Sequence, residues 1–139
     1  FQDALSQIRD SVSLTFMAVT EYKKGNLESA ERWIREAEKE KPDNVYVLRT
    51  LGYRALIYLK RDRVAGVEAL KRYIEHYEHA YPLESIRDLK RMLRTGNIDE
   101  TTLETIIDEQ IKWYEKEMEE YLINNSGFIA DHQRMFFRE

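Results

Sequence analysis

The sequence contains no cysteine, and only 2 prolines and 5 glycines occur among its 139 residues. A chain without cysteine forms no disulfide, no zinc–thiolate site and no cysteine nucleophile. With so little glycine and proline there is little room for the many turns of an all-β domain. The sequence therefore predicts an all-α chain, and its length fits one domain, residues 1–139.

The chain also lacks a positive net charge and a long apolar run. Its net charge is -4, whereas nucleic acids and anionic membranes are bound by clustered basic surfaces. No apolar run approaches the roughly 20 residues of a membrane span. We therefore expect no nucleic-acid partner and no direct membrane insertion. The compartment stays open: we expect the cytoplasm, but a chain without thiols also suits the periplasm or secretion, and the sequence begins at Phe1 without a visible native N terminus.

Motifs of catalysis are missing as well. The sequence has no glycine-rich phosphate loop, no nucleophile elbow and no HExxH, so we predict no enzyme, no catalytic residue and no cofactor. His76 and His79 lie three residues apart beside Glu75 and Glu78, a spacing that could hold a metal ion. A pair without further ligands is better explained as surface histidines near a helix C terminus, and we predict no metal site.

Charged residues make up 35% of the chain, against roughly 25% in an average globular protein. This excess suits long solvated helices, and apolar residues do recur at three- and four-residue steps in six segments. The first predicted helix ends at Gly25. The five that follow span about 27–41, 45–60, 64–79, 82–95 and 100–124. Asn26 and Asp99 are predicted N-caps, and Gly25 and Gly96 predicted C-terminal caps. The buried stripe predicted for the first helix consists of Leu5, Ile8, Val12, Phe16, Val19 and Tyr22.

A spacing of 34 residues relates the first two helices to the next two. It separates three pairs, Leu14 and Leu48, Met17 and Leu51, and Ala18 and Gly52. A loop glycine, small and apolar contacts and a proline stop follow in the first copy: Gly25, Leu27, Ala30, Ile34, Ala37 and Pro42. With the junction "KPDNVYVLRTLGY", the chain resembles a tetratricopeptide-repeat protein over about residues 11–82.

The resemblance implies antiparallel helical hairpins stacked as a short right-handed superhelix, with helices in 83–125 capping the stack and a tail at 126–139. Two unrelated hairpins of a generic bundle are the alternative. The second repeat is irregular, because strict register places Val64, Glu68 and Lys71 at the core positions of Ala30, Ile34 and Ala37. A slip of two residues places Gly66, Leu70 and Tyr73 there instead and predicts a longer loop at 60–63.

The resemblance also implies a function. In the family, the first helix of each repeat lines a groove, and the matching residues here include Tyr22, Lys23, Tyr46, Arg49, Thr50 and Tyr53. Tyrosine and arginine are rich contact residues at interfaces. We expect a non-enzymatic adaptor or scaffold that binds a peptide or helix of a protein partner. Two alternatives stay open: Tyr46 and Tyr53 could instead cover the capping helices, and the helix at 100–124 with the apolar tail could make the chain a self-associating homo-oligomer.

Overall fold

The computed structural model describes residues 2–40, 46–80 and 84–124. Every regular element within these ranges is an α-helix, which confirms the predicted all-α class. The helices are α1 (Gln2–Lys24), α2 (Leu27–Lys39), α3 (Val47–Arg61), α4 (Arg63–Ala80), α5 (Glu84–Thr95) and α6 (Glu100–Asn124). The predicted proline stop at Pro42 and the apolar tail at 126–139 lie outside the described residues.

The chain divides into two compact units, Phe1–Leu70 and Lys71–Glu139, and the boundary falls within α4. In the first unit α1, α2 and α3 all contact one another. The second unit contains the end of α4 together with α5 and α6.

Gly25 joins α1 and α2 into a hairpin. It adopts a positive φ of 87°, a conformation that glycine reaches without steric cost. Its N–H donates to the carbonyl of Tyr22 (3.0 Å), and the N–H of Asn26 donates to the carbonyl of Glu21 (2.9 Å). These two bonds are the Schellman pair that ends a helix, so the predicted stop is confirmed. Asn26 takes the N-cap position, but its side chain donates to Glu21 Oε2 (2.8 Å) and makes no capping bond.

The core of the first unit forms around α2. Ala30, Ile34 and Ala37 are fully buried, as the apolar spacing predicted. The stripe predicted for α1 is partly wrong, because Phe16 is 40% exposed. Tyr22 of that stripe is buried as predicted, and the other buried positions of α1 with described side chains are Ser11, Thr15 and Ala18. Small and polar residues there allow a close approach to α3, where the hydroxyls of Thr15 and Thr50 lie 2.8 Å apart.

The connection between α3 and α4 is shorter than predicted. Asp62 alone separates the two helices, in an extended conformation with φ -154° and ψ 101°. Its carbonyl accepts from Gly66 N–H (2.8 Å), and its Oδ1 accepts from Ala65 N–H (3.3 Å). The longer loop predicted at 60–63 is therefore wrong: α3 itself continues to Arg61 and takes up the extra residues as helix.

The slipped register of the second hairpin is confirmed by burial. Gly66, Leu70 and Tyr73 are buried. Their counterparts in strict 34-residue register, Val64, Glu68 and Lys71, are exposed. Gly66 is required by sterics, because a Cβ there would lie 2.5 Å from the backbone nitrogen of Leu59.

In the second unit, α6 buries apolar residues at the three- and four-residue steps predicted for the helices: Leu103, Ile107, Ile111, Tyr114 and Met118 are all buried. Asp99 caps this helix, since its Oδ1 accepts from the N–H groups of Thr101 (3.1 Å) and Thr102 (3.3 Å). Helix α5 ends at Gly96, whose φ is 73°. Both predicted caps are confirmed.

Candidate functional site

An exposed aromatic cluster lies where α1 passes the beginning of α3. Phe16 is 40% exposed, and its ring meets the Tyr46 ring edge to face, with centroids 5.7 Å apart. The Arg49 guanidinium carbon lies 4.8 Å from the Phe16 ring centroid. Arginine over an aromatic face is an attractive cation–π arrangement. The cluster therefore holds large side chains in a defined orientation at the surface.

Met17 and Thr20 extend this cluster along α1. Met17 is 42% exposed, and the Thr20 hydroxyl donates to the Phe16 carbonyl (2.9 Å). Phe16, Met17, Thr20 and Glu21 line a shallow depression. We call Phe16, Met17, Thr20, Tyr46 and Arg49 the Phe16 surface. Its phenylalanine and methionine were not among the sequence-predicted site residues, because the predicted α1 stripe placed Phe16 in the core.

Three of the six predicted groove residues are buried in the first unit. Tyr22 is 6%, Thr50 2% and Tyr53 1% exposed. The rings of Tyr22 and Tyr53 meet edge to face at 5.6 Å. Thr50 shares its hydroxyl hydrogen bond with Thr15. These side chains tie α1 to α3 and offer almost no surface to a partner in this conformation.

The other three predicted residues keep solvent-accessible area. Lys23 is exposed, and its Nζ lies 5.5 Å from the Tyr53 ring centroid. Tyr46 and Arg49 are half-buried members of the Phe16 surface. The structure thus brings Tyr46 and Arg49 together with Phe16, while Lys23 lies two turns beyond Phe16 on α1.

A second polar cluster joins α2 to α3. Tyr58 is 4% exposed, and its ring lies between two guanidinium groups, with Arg35 at 5.1 Å and Arg54 at 5.5 Å from the centroid. Its hydroxyl donates to the Glu38 carboxylate, 3.2 Å from each oxygen, and Arg54 pairs with the same carboxylate. Burial, followed by the nearby Glu38 charge, raises the pKa of Tyr58. The phenol therefore stays neutral and acts as a donor that fixes α2 on α3.

Glu31 completes this α2–α3 cluster at the other end. Its carboxylate accepts hydrogen bonds from Arg61 (2.9 Å) and Arg35 (2.7 Å). These bonds lower the pKa of Glu31. Because each of the three arginines of the cluster has a carboxylate partner within it, we interpret the cluster as a structural contact rather than as a binding site.

A buried polar chain crosses the second unit. The Tyr73 hydroxyl donates to Gln110 Oε1 (2.7 Å), and Gln110 Nε2 donates to Ser85 Oγ (2.8 Å). The Tyr73 and Tyr77 rings stack, with centroids 6.1 Å apart. Burial raises the pKa of Tyr73 well above its usual value. These hydrogen bonds link Tyr73, Gln110 and Ser85 within the unit, and the link specifies how α4, α5 and α6 pack.

Neither a metal-binding cluster nor a membrane-spanning helix occurs among the residues that the structure describes. Within residues 2–40, 46–80 and 84–124, no three His, Cys, Asp or Glu side chains are grouped in a way that could hold a metal ion. His76 is half-buried on α4. No helix in the same ranges is both long and apolar enough to cross a membrane.

Comparisons with known proteins yield no relative. The chain has no significant match among protein-family models, curated protein sequences or solved structures.

Proposed function

We propose that this protein is a non-enzymatic adaptor that binds a peptide or helix of a protein partner on the Phe16 surface. The observation that carries this proposal is the exposed aromatic cluster in which Phe16 packs against Tyr46 and Arg49. Aromatic residues, methionine and arginine are the residue types enriched at interface centres. A cluster already held in place by its own contacts loses little side-chain entropy on binding.

The side chains of the Phe16 surface indicate which kind of partner segment it would bind. Phe16 and Met17 offer apolar area, and Arg49 is the cation beside them. Lys23 and Lys24 are exposed at the end of the same helix. A partner segment with one large apolar side chain and a neighbouring carboxylate would satisfy both features.

The tetratricopeptide resemblance supports an adaptor role. Two helices form a hairpin and the third packs on both, as in one repeat followed by the first helix of the next. The small residues Ala18, Ala30 and Gly52 are buried, which suits the close helix crossings of that family. In this proposal the binding surface differs from the groove that the resemblance implies, since Tyr22 and Tyr53, two of the residues matched to that groove, are buried.

Self-association is a second candidate function. Helix α6 leaves Ile123 79% exposed and Trp113 37% exposed. Exposing apolar side chains to water is unfavourable, and burying them against a second copy would contribute about 25 cal/mol per Å² of buried apolar surface. Light scattering of the full chain over a range of concentrations tests this: a dimer mass that Ile123→Ser reduces to a monomer mass would favour self-association.

A paired-variant capture experiment tests the adaptor proposal. The test variant carries Phe16→Ala and Arg49→Ala, and the control carries Val64→Ala and Arg32→Ala, which remove an exposed apolar residue and an exposed arginine elsewhere. Proteins captured by the parent and the control, but lost from the test variant, are candidate partners. A peptide from such a partner should then bind the test variant about 5- to 30-fold more weakly in calorimetry.

Circular dichroism of both variants checks that the helices are intact. The proposal is wrong if the test and control variants capture the same proteins with equal yield. It is equally wrong if the candidate peptide binds both variants with the same affinity.

A further inference from the structure

Helix α5 carries all its basic residues on one side. At 3.6 residues per turn, a sector of about 100° contains all four of them, in the angular order Lys90, Arg94, Arg87 and Arg91. All four are exposed. Ile86 and Leu89 lie outside this sector and are buried. We call Arg87, Lys90, Arg91 and Arg94 the α5 basic strip.

The charges at the two angular ends of the strip are paired with carboxylates of the second unit, whereas the two charges between them are not. Lys90 pairs with Glu78, and Arg91 pairs with Asp88 at 2.6 Å. Arg87 and Arg94, which lie between them in angle, have no acidic partner among the described residues. Two guanidinium groups are therefore available side by side.

Helix stability does not explain this arrangement. Cations three or four residues apart on a helix repel one another, and here they recur at 87, 91 and 94 and at 87, 90 and 94. Arg94 in the last turn suits the negative end of the helix dipole, but Arg87 lies in the first turn, near the positive end, where a cation is disfavoured. Ion pairs and the helix dipole therefore account for Lys90, Arg91 and Arg94, but not for Arg87 beside them.

We propose that the α5 basic strip docks an acidic helical segment of a protein partner. From Arg87 to Arg94 the strip is about 10 Å long at 1.5 Å per residue. A partner helix with Asp or Glu at three- and four-residue steps repeats its carboxylates at the same spacing. Arginine binds a carboxylate through two parallel N–H bonds, and Arg87 and Arg94 are the two arginines of the strip that are available for such bonds.

A nucleic acid is a poorer occupant. The chain has a net charge of -4, and nucleic-acid affinity depends on neutralising many phosphates with a large basic surface. Two available arginines and a 10 Å strip neutralise few of them. The acidic protein segment needs only local charge complementarity.

This docking surface is independent of the Phe16 surface, because it belongs to the second unit and to different residues. The proposed adaptor function can fail while the strip still binds an acidic helix, and the reverse is also possible.

The test uses the full chain and a synthetic alanine-based helical peptide with Glu at three- and four-residue steps. A second peptide has Gln in place of every Glu. The test variant is R87Q/R94Q, and the control R32Q/R72Q removes the same charge from exposed arginines on α2 and α4. We expect the Glu peptide to bind the parent, to bind R87Q/R94Q roughly fivefold more weakly, and to bind the control within about twofold of the parent. Raising the salt from about 50 to 300 mM should weaken the parent's binding.

Amide chemical-shift mapping on the parent gives a readout that needs no variant to fold. The Glu peptide should shift resonances of residues 87–94, whereas the Gln peptide should not. Equal weakening in both variants, equal binding of both peptides, or shifts confined to other helices would overturn the proposal. Tighter binding of a single-stranded oligothymidylate than of the Glu peptide, lost in R87Q/R94Q, would also overturn it and identify a nucleic-acid surface.

Discussion

Replacing Gly66 with alanine tests the packing of α4 on α3 most directly. A Cβ built at this position would lie 2.5 Å from the backbone nitrogen of Leu59, 2.6 Å from its Cα and 2.8 Å from its Cδ2. A leucine Cδ2 could rotate away, but the nitrogen and the Cα belong to the backbone of α3. One helix must therefore shift relative to the other before an alanine fits.

Two effects of opposite sign set the magnitude for Gly66→Ala. Alanine in a helix interior is favoured over glycine by about 0.5–1 kcal/mol. Overpacking costs about 1–3 kcal/mol, and a contact with backbone places this site in the upper half of that range. The net loss in the free energy of unfolding is expected to be about 1–2.5 kcal/mol, or roughly 3–9 °C in Tm.

Urea denaturation followed by far-UV circular dichroism measures this loss. The control is Val64→Ala, two residues earlier, where the side chain is 82% exposed and the expected change is within about 0.5 kcal/mol. A Gly66→Ala protein as stable as the parent, or more stable, would refute the reasoning, because helix propensity would then outweigh a contact that is not as close as the structure places it.

Two further predictions concern the helices themselves. Ala30→Leu should destabilise the chain by about 1–3 kcal/mol, since Ala30 is fully buried, whereas Glu28→Leu at an exposed position of α2 should stay within about 0.5 kcal/mol; equal denaturation midpoints would contradict this. Asp99→Ala should lower Tm at pH 7, because hydrogen bonds from Thr102 and Thr101 lower the pKa of Asp99 below its ordinary value of 3.8. A carboxylate whose pKa is lower in the folded state stabilises the fold at pH values above its unfolded-state pKa, and this stabilisation is lost as the pH falls through the folded-state pKa. The Tm difference between the parent and Asp99→Ala should therefore shrink below about pH 4. A difference that is constant down to about pH 2 would argue against the cap.

The sequence by itself determined the helices and most of their ends. Gly25 and Gly96 stop α1 and α5 because glycine adopts a positive φ at little cost, and Asp99 starts α6 because its carboxylate satisfies N–H groups two and three residues ahead. These are local interactions, so the pattern along the chain contains all the information that fixes them. The buried stripe of α6 was predictable from the three- and four-residue spacing of its apolar residues.

The tertiary structure alone decided which side of α1 faces the core. Its sequence offers two adjacent stripes, one with Phe16 and one with Thr15 and Ala18, and the larger apolar residues favour the first. The second is buried because α3 approaches closely there, and Thr50, 35 residues away, supplies the hydroxyl that Thr15 needs. A contact between residues so far apart leaves no periodic signal in either helix. Phe16 is thereby left at the surface beside Tyr46 and Arg49, and it is this non-local packing that creates the candidate binding surface.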